Sequence, residues 1–189
     1  MVLKDKSDKL FETVVDVLSK RGIVIMRGDT IYGFFGIAPE TKGRIQKLKR
    51  REKGKEFLML VPDASWVKRF SDDKIPESLL AHWPGPLTII MNVRAGAWNS
   101  DTVALRVPDD EFLRQVLFKI DRPLYSTSVN ISGDREINSI GKIVEKFGES
   151  VELIVDSGDA IYRKPSTIVD ITSGELVIVR EGAIEASKL

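Results

Sequence analysis

Cysteine is absent from this 189-residue chain, and histidine occurs once. The first absence removes disulfides and thiolate zinc, and the second removes any multi-histidine metal centre. His82 stands beside Trp83 at the apolar end of a short helix, where a hydrogen-bonded structural histidine is expected. No apolar run approaches the roughly 18 residues that a membrane span requires. Residues 1–22 carry Asp, Glu and Lys throughout, without the uninterrupted apolar stretch of a signal peptide. A cytoplasmic protein with no membrane partner is expected. Common signatures of catalysis are missing too: there is no G-x-x-x-x-G-K-[ST], no G-x-G-x-x-G and no G-x-S-x-G. A Ser-His-Asp triad would have to use His82, close to Pro84 and far from any serine elbow. A nucleotide, if one is handled, is handled without a P-loop.

What is present fits one soluble unit over residues 1–189, 42% hydrophobic and 30% charged, with enough apolar mass for a sizeable core. The net charge is +1, but it is unevenly spread. Between Lys42 and Lys55 stand eight basic residues (Lys42, Arg44, Lys47, Lys49, Arg50, Arg51, Lys53, Lys55) and one acid, Glu52. Setting these aside from the 29 basic and 28 acidic residues leaves 21 and 27, a remainder of −6. An acidic body with one concentrated basic segment points to a local anionic partner rather than to general coating of nucleic acid.

Apolar spacing predicts a helix over 7–20 with Gly22 as its C-terminal cap. A strand over 23–26 and a helix from a Thr41 cap through Arg51 follow. Strands are expected at 57–61, 87–93, 102–107, 124–128, 153–155, 167–171 and 176–180, with a Ser173-Gly174 turn before the last. Asp109 is placed as the cap of a helix carrying Phe112, Leu113, Val116 and Leu117, and another helix carries Ile140, Ile143, Val144 and Phe147. Helices and strands interleave, so the fold class is α/β, a single domain on a twisted mixed sheet that is antiparallel at least near Gly174.

Polar residues gather at the predicted strand ends. Lys47, Arg51 and Lys55 are spaced by four and would form a cationic stripe on a continuing helix. Arg106 and Arg180 each end an apolar strand, where a long side chain reaches over the sheet edge. Ser126 and Ser128 share one face of their strand, with Asn130 just beyond, and Ser166-Thr167 opens another strand. Cations and small hydroxyls without a nucleophile suit the positioning of a polyanion.

The fragments GDTIYGF, KRREKGKEF, HWPGPLT, TVALRVP, STSVNISG, PSTIVD and VREGAI, spread over about residues 21 to 184, resemble in order and spacing those of the YrdC-type threonylcarbamoyl-adenylate synthases, in the short form. The resemblance implies one twisted α/β domain with a concave, positively charged face. It implies an enzyme that converts ATP, L-threonine and bicarbonate to threonylcarbamoyl-AMP and pyrophosphate, with Mg²⁺ accompanying ATP and no resident metal. A tRNA-modifying transfer complex would then receive the threonylcarbamoyl group for the adenosine beside the anticodon. Lys49 and Arg51 match the family's K-x-R and are implied as the catalytic pair, holding the phosphates with Lys55. Thr102, Ser128 and Arg180 fall where the family contacts ATP, and Asn130 braces the turn beside them. Thr30, Arg106, Ser126 and Ser166 fall where it contacts threonine, and a planar guanidinium fork suits the carboxylate. The chain departs from the family's usual Pro-Thr-Asp-Thr, with Arg27-Gly28-Asp29-Thr30 in its place. Two other readings stand beside this one. The basic segment could hold structured RNA, although it contains no Tyr or Trp for stacking on single strands. The domain could also transfer a carbamoyl group to another acceptor.

Overall fold

The computed structural model describes residues 1–52, 56–160 and 164–189. Among these residues ten strands form one sheet: β1 (Val2–Lys4), β2 (Val24–Arg27), β3 (Tyr32–Ile37), β4 (Leu58–Leu60), β5 (Leu87–Asn92), β6 (Thr102–Arg106), β7 (Leu124–Ser128), β8 (Leu153–Asp156), β9 (Thr167–Asp170) and β10 (Val177–Arg180). Their spatial order is β1-β8-β2-β3-β7-β4-β6-β5-β9-β10. The sheet is mixed, with parallel pairs such as β4 with β6 and antiparallel pairs such as β3 with β7. The hairpin expected at Gly174 joins β9 and β10, and Gly174 takes φ +85° in the turn.

Alternation along the strands sends side chains to two cores. Ile23, Ile25, Tyr32 and Phe34 enter one, while Val24, Met26, Phe35 and Ile37 enter the other. The first core is closed by α2 (Lys42–Lys49) and α5 (Ile140–Phe147), where Phe147 meets Phe34 edge to face at 5.0 Å. The second is closed by α1 (Leu10–Ser19) and α4 (Glu111–Ile120), joined by an edge-to-face contact of Phe11 with Phe112 at 5.9 Å. A short helix α3 (Glu77–Leu80) and a 3-10 turn at Ala64–Arg69 complete the chain's middle. Among the described residues, no member of β5, β6, β9 or β10 belongs to the second core, so that half of the sheet face stays open.

Several boundaries differ from those read in the sequence, each for a local reason. The strand at Tyr32–Ile37 has no alternation to reveal it, because every residue is buried between the two layers. Gly36 sits in that strand because a Cβ there would lie 2.4 Å from the Thr41 hydroxyl. Thr41 does not cap α2 through its side chain. Its hydroxyl donates back to Ile37 O at 2.9 Å. At the end of α1 it is Arg21, at φ 63°, that turns left-handed, while Gly22 is needed because a Cβ would lie 2.7 Å from Val17. The cap of α4 is Asp110 rather than Asp109, its carboxylate accepting from Leu113 N at 2.9 Å. Strand β1 is three residues at the sheet edge, too short for a pattern.

Candidate functional site

The open half-face is a cleft of about 680 Å³. Its floor follows from strand alternation. Ser126 and Ser128 share the phase of Leu124, Ala104 and Arg106 alternate with Val103 and Leu105, and Thr88 and Ile90 alternate with Leu87 and Ile89. Of the eleven residues singled out from the sequence, ten line this one cleft: Thr30, Lys49, Arg51, Thr102, Arg106, Ser126, Ser128, Asn130, Ser166 and Arg180. The eleventh, Lys55, lies outside the described residues. The cleft also carries charge of both signs, with Lys49, Arg50, Arg51, Arg106 and Arg180 against Asp29, Glu52, Glu56 and Glu136.

The expected stripe through Lys47 and Arg51 does not form, because α2 ends at Lys49. Arg50 turns left-handed at φ 48°, with Arg50 N donating to Lys47 O at 3.1 Å and Arg51 N to Gln46 O at 2.9 Å. The reversal leaves Lys47 exposed outside the cleft and swings Arg51 inwards. The Arg51 guanidinium lies 4.8 Å from the Phe57 ring centre and donates to Glu56 O at 2.9 Å. Its Nε is buried with no hydrogen-bond partner among the described residues. Nor is the basic segment as uncompensated as it reads. Lys42 pairs with Glu56 at 2.5 Å and Arg44 with Glu152 at 2.7 Å, the second acid more than a hundred residues away.

Lys49 is 2% exposed, and its ammonium donates to Ser128 O at 2.5 Å, Asn130 Oδ1 at 2.6 Å and Asn130 O at 3.3 Å. An ammonium has three protons, so the loop after β7 occupies them all. Burial, helped by neighbouring Arg51 and opposed by Glu136, pushes Lys49 down to about 8. Lys49 lines the cleft and at the same time fixes the loop after β7. Asn130 completes that bracing: its Oδ1 also accepts from the Ser128 hydroxyl at 2.7 Å, and its Nδ2 donates to Asp134 O at 2.8 Å.

Arg106 lies at the centre, 4% exposed. It pairs with Asp29, and donates to Thr30 Oγ1 at 3.4 Å and to Gly85 O at 3.2 Å. Asp29 in turn accepts from Asp109 N at 3.0 Å, which ties the turn after β2 to the start of α4. Burial lowers the affinity of Arg106 for its proton, and the Asp29 carboxylate offsets only part of that loss. At the far end Arg180 donates to Ser166 O at 2.7 Å, and the Ser166 hydroxyl lies 2.9 Å from that of Thr88. Arg180 and Ser166, assigned to different ligands in the sequence, are therefore direct neighbours. The hydroxyls of Ser126 and Thr102 point into the cleft lining without a hydrogen bond among the described residues. Asp29 and Thr88 lie inside GDTIYGF and HWPGPLT, but nothing local marked them, since each acts on a residue distant in sequence. His82 is outside the cleft, its ring bonded to Lys188 O at 3.0 Å.

A profile of the family described as "Telomere recombination" (Sua5_yciO_yrdC) matches residues 16–182. A Methanocaldococcus jannaschii protein, provisionally named threonylcarbamoyl-AMP synthase, is 31% identical over 207 aligned positions, covering 100% of this chain and 99% of that one. Threonylcarbamoyl-AMP synthase of Idiomarina loihiensis is 29% identical over 164 positions, covering 80% of this chain and 88% of its own length. In fold, the chain superposes on P. abyssi Sua5 complexed with L-threonine with a TM-score of 0.86 at 22% identity, covering 100% of this chain. The chain spans only 58% of that longer protein.

Proposed function

The chain belongs to the Sua5/YciO/YrdC family, and from that premise we propose that it is a threonylcarbamoyl-AMP synthase working as one domain over residues 1–189. The observation that carries the reading is the convergence of ten residues from six of those fragments on one open face of the sheet. ATP, L-threonine and bicarbonate are its substrates. Threonine's neutral amine adds to carbon dioxide, formed from bicarbonate with loss of water, to give a carbamate. A carbamate oxygen then attacks the α-phosphorus in line, the bond from that phosphorus to the bridging oxygen breaks, and pyrophosphate leaves. The sum is ATP, threonine and bicarbonate to threonylcarbamoyl-AMP, pyrophosphate and water.

No covalent enzyme intermediate is needed, so alignment and charge neutralisation carry the catalysis. Arg106, held by Asp29 and Thr30, keeps two N–H groups beyond its three bonded ones for the threonine carboxylate. Ser126 and Ser166, which line the same cleft, serve threonine with it, while Arg51, Ser128, Thr102 and Arg180 serve the nucleotide and Lys55 joins them at the phosphates. The unpartnered Arg51 Nε fits an anion. Mg²⁺ enters as the counter-ion of ATP. The product passes to a threonylcarbamoyl-transfer complex that modifies tRNA, with exposed Lys47 and Arg50 available for RNA phosphates. A cytoplasmic setting fits these partners, and no described helix is long and apolar enough to cross a membrane.

Pyrophosphate release tests the reading. With ATP and bicarbonate, threonine should drive it, serine less so, and leucine not at all, since a hydroxyl-binding pocket leaves buried polar groups unpaired against an apolar side chain. Equal turnover with leucine, or release without bicarbonate, overturns it.

A further inference from the structure

We propose that Gly28 enlarges the amino-acid end of the cleft, so that it takes L-β-hydroxy-α-amino acids bulkier than threonine, with ethyl or isopropyl in place of the methyl. The inference rests on the synthase reading above. Gly28 has neither of the usual reasons to be glycine. Its φ lies outside the left-handed region. A Cβ there would stand 3.6 Å from Leu113 Cδ2 and 3.9 Å from Phe35 Cζ, ordinary contact distances. A side chain would fit, and its absence leaves room in the cleft that Gly28 lines. Where the family's usual Pro-Thr-Asp-Thr carries a threonine, this chain carries Gly28.

The room adjoins the residues assigned to threonine. Phe35 on β3 and Leu58 on β4 both lie opposite Ser126 on β7, so the three side chains form one row on the cleft face. The Ser126 hydroxyl therefore stands between two apolar neighbours. Two residues along β4, Leu60 is in register with Arg106, and Asp29, next after Gly28, holds that arginine. Phe35, Leu58, Leu60 and Leu113 all line the cleft, and none offers a polar side-chain atom. With the carboxylate on Arg106 and the hydroxyl on Ser126, these walls are left to the remaining substituent of the β-carbon. That substituent is hydrogen in serine and methyl in threonine, and a longer one gains more burial.

Pyrophosphate release with threonine and with L-β-hydroxynorvaline, its ethyl homologue, tests this on the full chain. One more methylene buried against the walls should raise the wild-type kcat/KM about fourfold over that for threonine. Gly28→Thr, by filling the room, should lower the ratio of homologue to threonine about tenfold or more, and Gly28→Ala should lower it less. If Gly28→Thr does not fold, Gly28→Ala carries the comparison, because its Cβ meets only ordinary contacts. A wild type that uses the homologue no better than threonine overturns the inference without any variant. So does an equal loss for both amino acids in the variants, which would mean that Gly28 serves only to carry Asp29 to Arg106. A wild type that releases pyrophosphate with neither amino acid would instead bring down the synthase reading itself.

Discussion

Two buried cations stand in the same cleft and are held in opposite ways. Lys49, at the end of α2, is surrounded by neutral oxygens of Ser128 and Asn130. Arg106, at the end of β6, is neutralised by Asp29, whose side chain is itself 8% exposed. Neutral acceptors satisfy hydrogen bonds without cancelling charge, so burial still drives Lys49 down to about 8. A carboxylate cancels the charge but creates dependence, because each ion becomes costly once the other is removed. The Lys49 end thus holds a loop, and the Arg106 end holds a paired, buried charge.

The largest expected effect comes from breaking the ion pair. Asp29→Asn leaves the Arg106 guanidinium buried without its paired carboxylate and should cost about 3–5 kcal/mol in denaturant unfolding. Adding Arg106→Met to it should recover much of that stability but no threonine binding. Lys49→Met comes next, since three loop oxygens lose their donor, and should cost about 1–3 kcal/mol at pH 7. Its pH dependence sharpens the contrast. The folded ammonium releases its proton near 8 and the unfolded one near 10.5, so the unfolded state holds more protons in that window and stability rises with pH. Denaturation curves should show the wild type gaining up to about 3 kcal/mol on Lys49→Met across it. A wild type that instead loses ground above pH 8 would show that the ammonium's hydrogen bonds outweigh its burial.

Asn130→Ala should be milder, about 1–2 kcal/mol, because it removes the acceptor shared by Lys49 and Ser128 and the donor to Asp134. It should lower both the melting temperature and pyrophosphate release. Ser126→Ala is the smallest change for the fold, as its hydroxyl has no protein partner to lose among the described residues. Thermal melts should be unaltered, while threonine-dependent release falls up to about thirtyfold, the equivalent of ~2 kcal/mol. An early melt with full activity would make LYSTSVNISG a structural corner and not a ligand cradle.

Most strands and helices were legible because one face is buried and the other wet, and that contrast is written in the spacing of Leu10, Val14 and Leu18 or of Val103 and Leu105. The same logic explains the failure at Tyr32–Ile37, where both faces are covered and spacing carries no signal. The motif residues were legible as residue types and as a resemblance, and ten of them do meet in one cleft. Their individual partners were not. The end of α2 at Lys49 separates Arg51 from the stripe that its spacing suggested, and no propensity in KLKRRE announces it.

By itself, then, the amino-acid sequence determined the α/β class, the mixed sheet, the absence of cysteine and multi-histidine chemistry, and the set of cations and hydroxyls available to a polyanion. These follow from composition and from periodicities of two and 3.6, which act over a few residues. Tertiary structure alone decided that Asp29 holds Arg106 across 77 positions, that Lys49 spends its protons on a loop some 80 residues on, and that Arg180 leans on Ser166. Such pairings are set by which strands lie side by side and by what burial does to an unpaired charge, and neither is a property of a short stretch of chain.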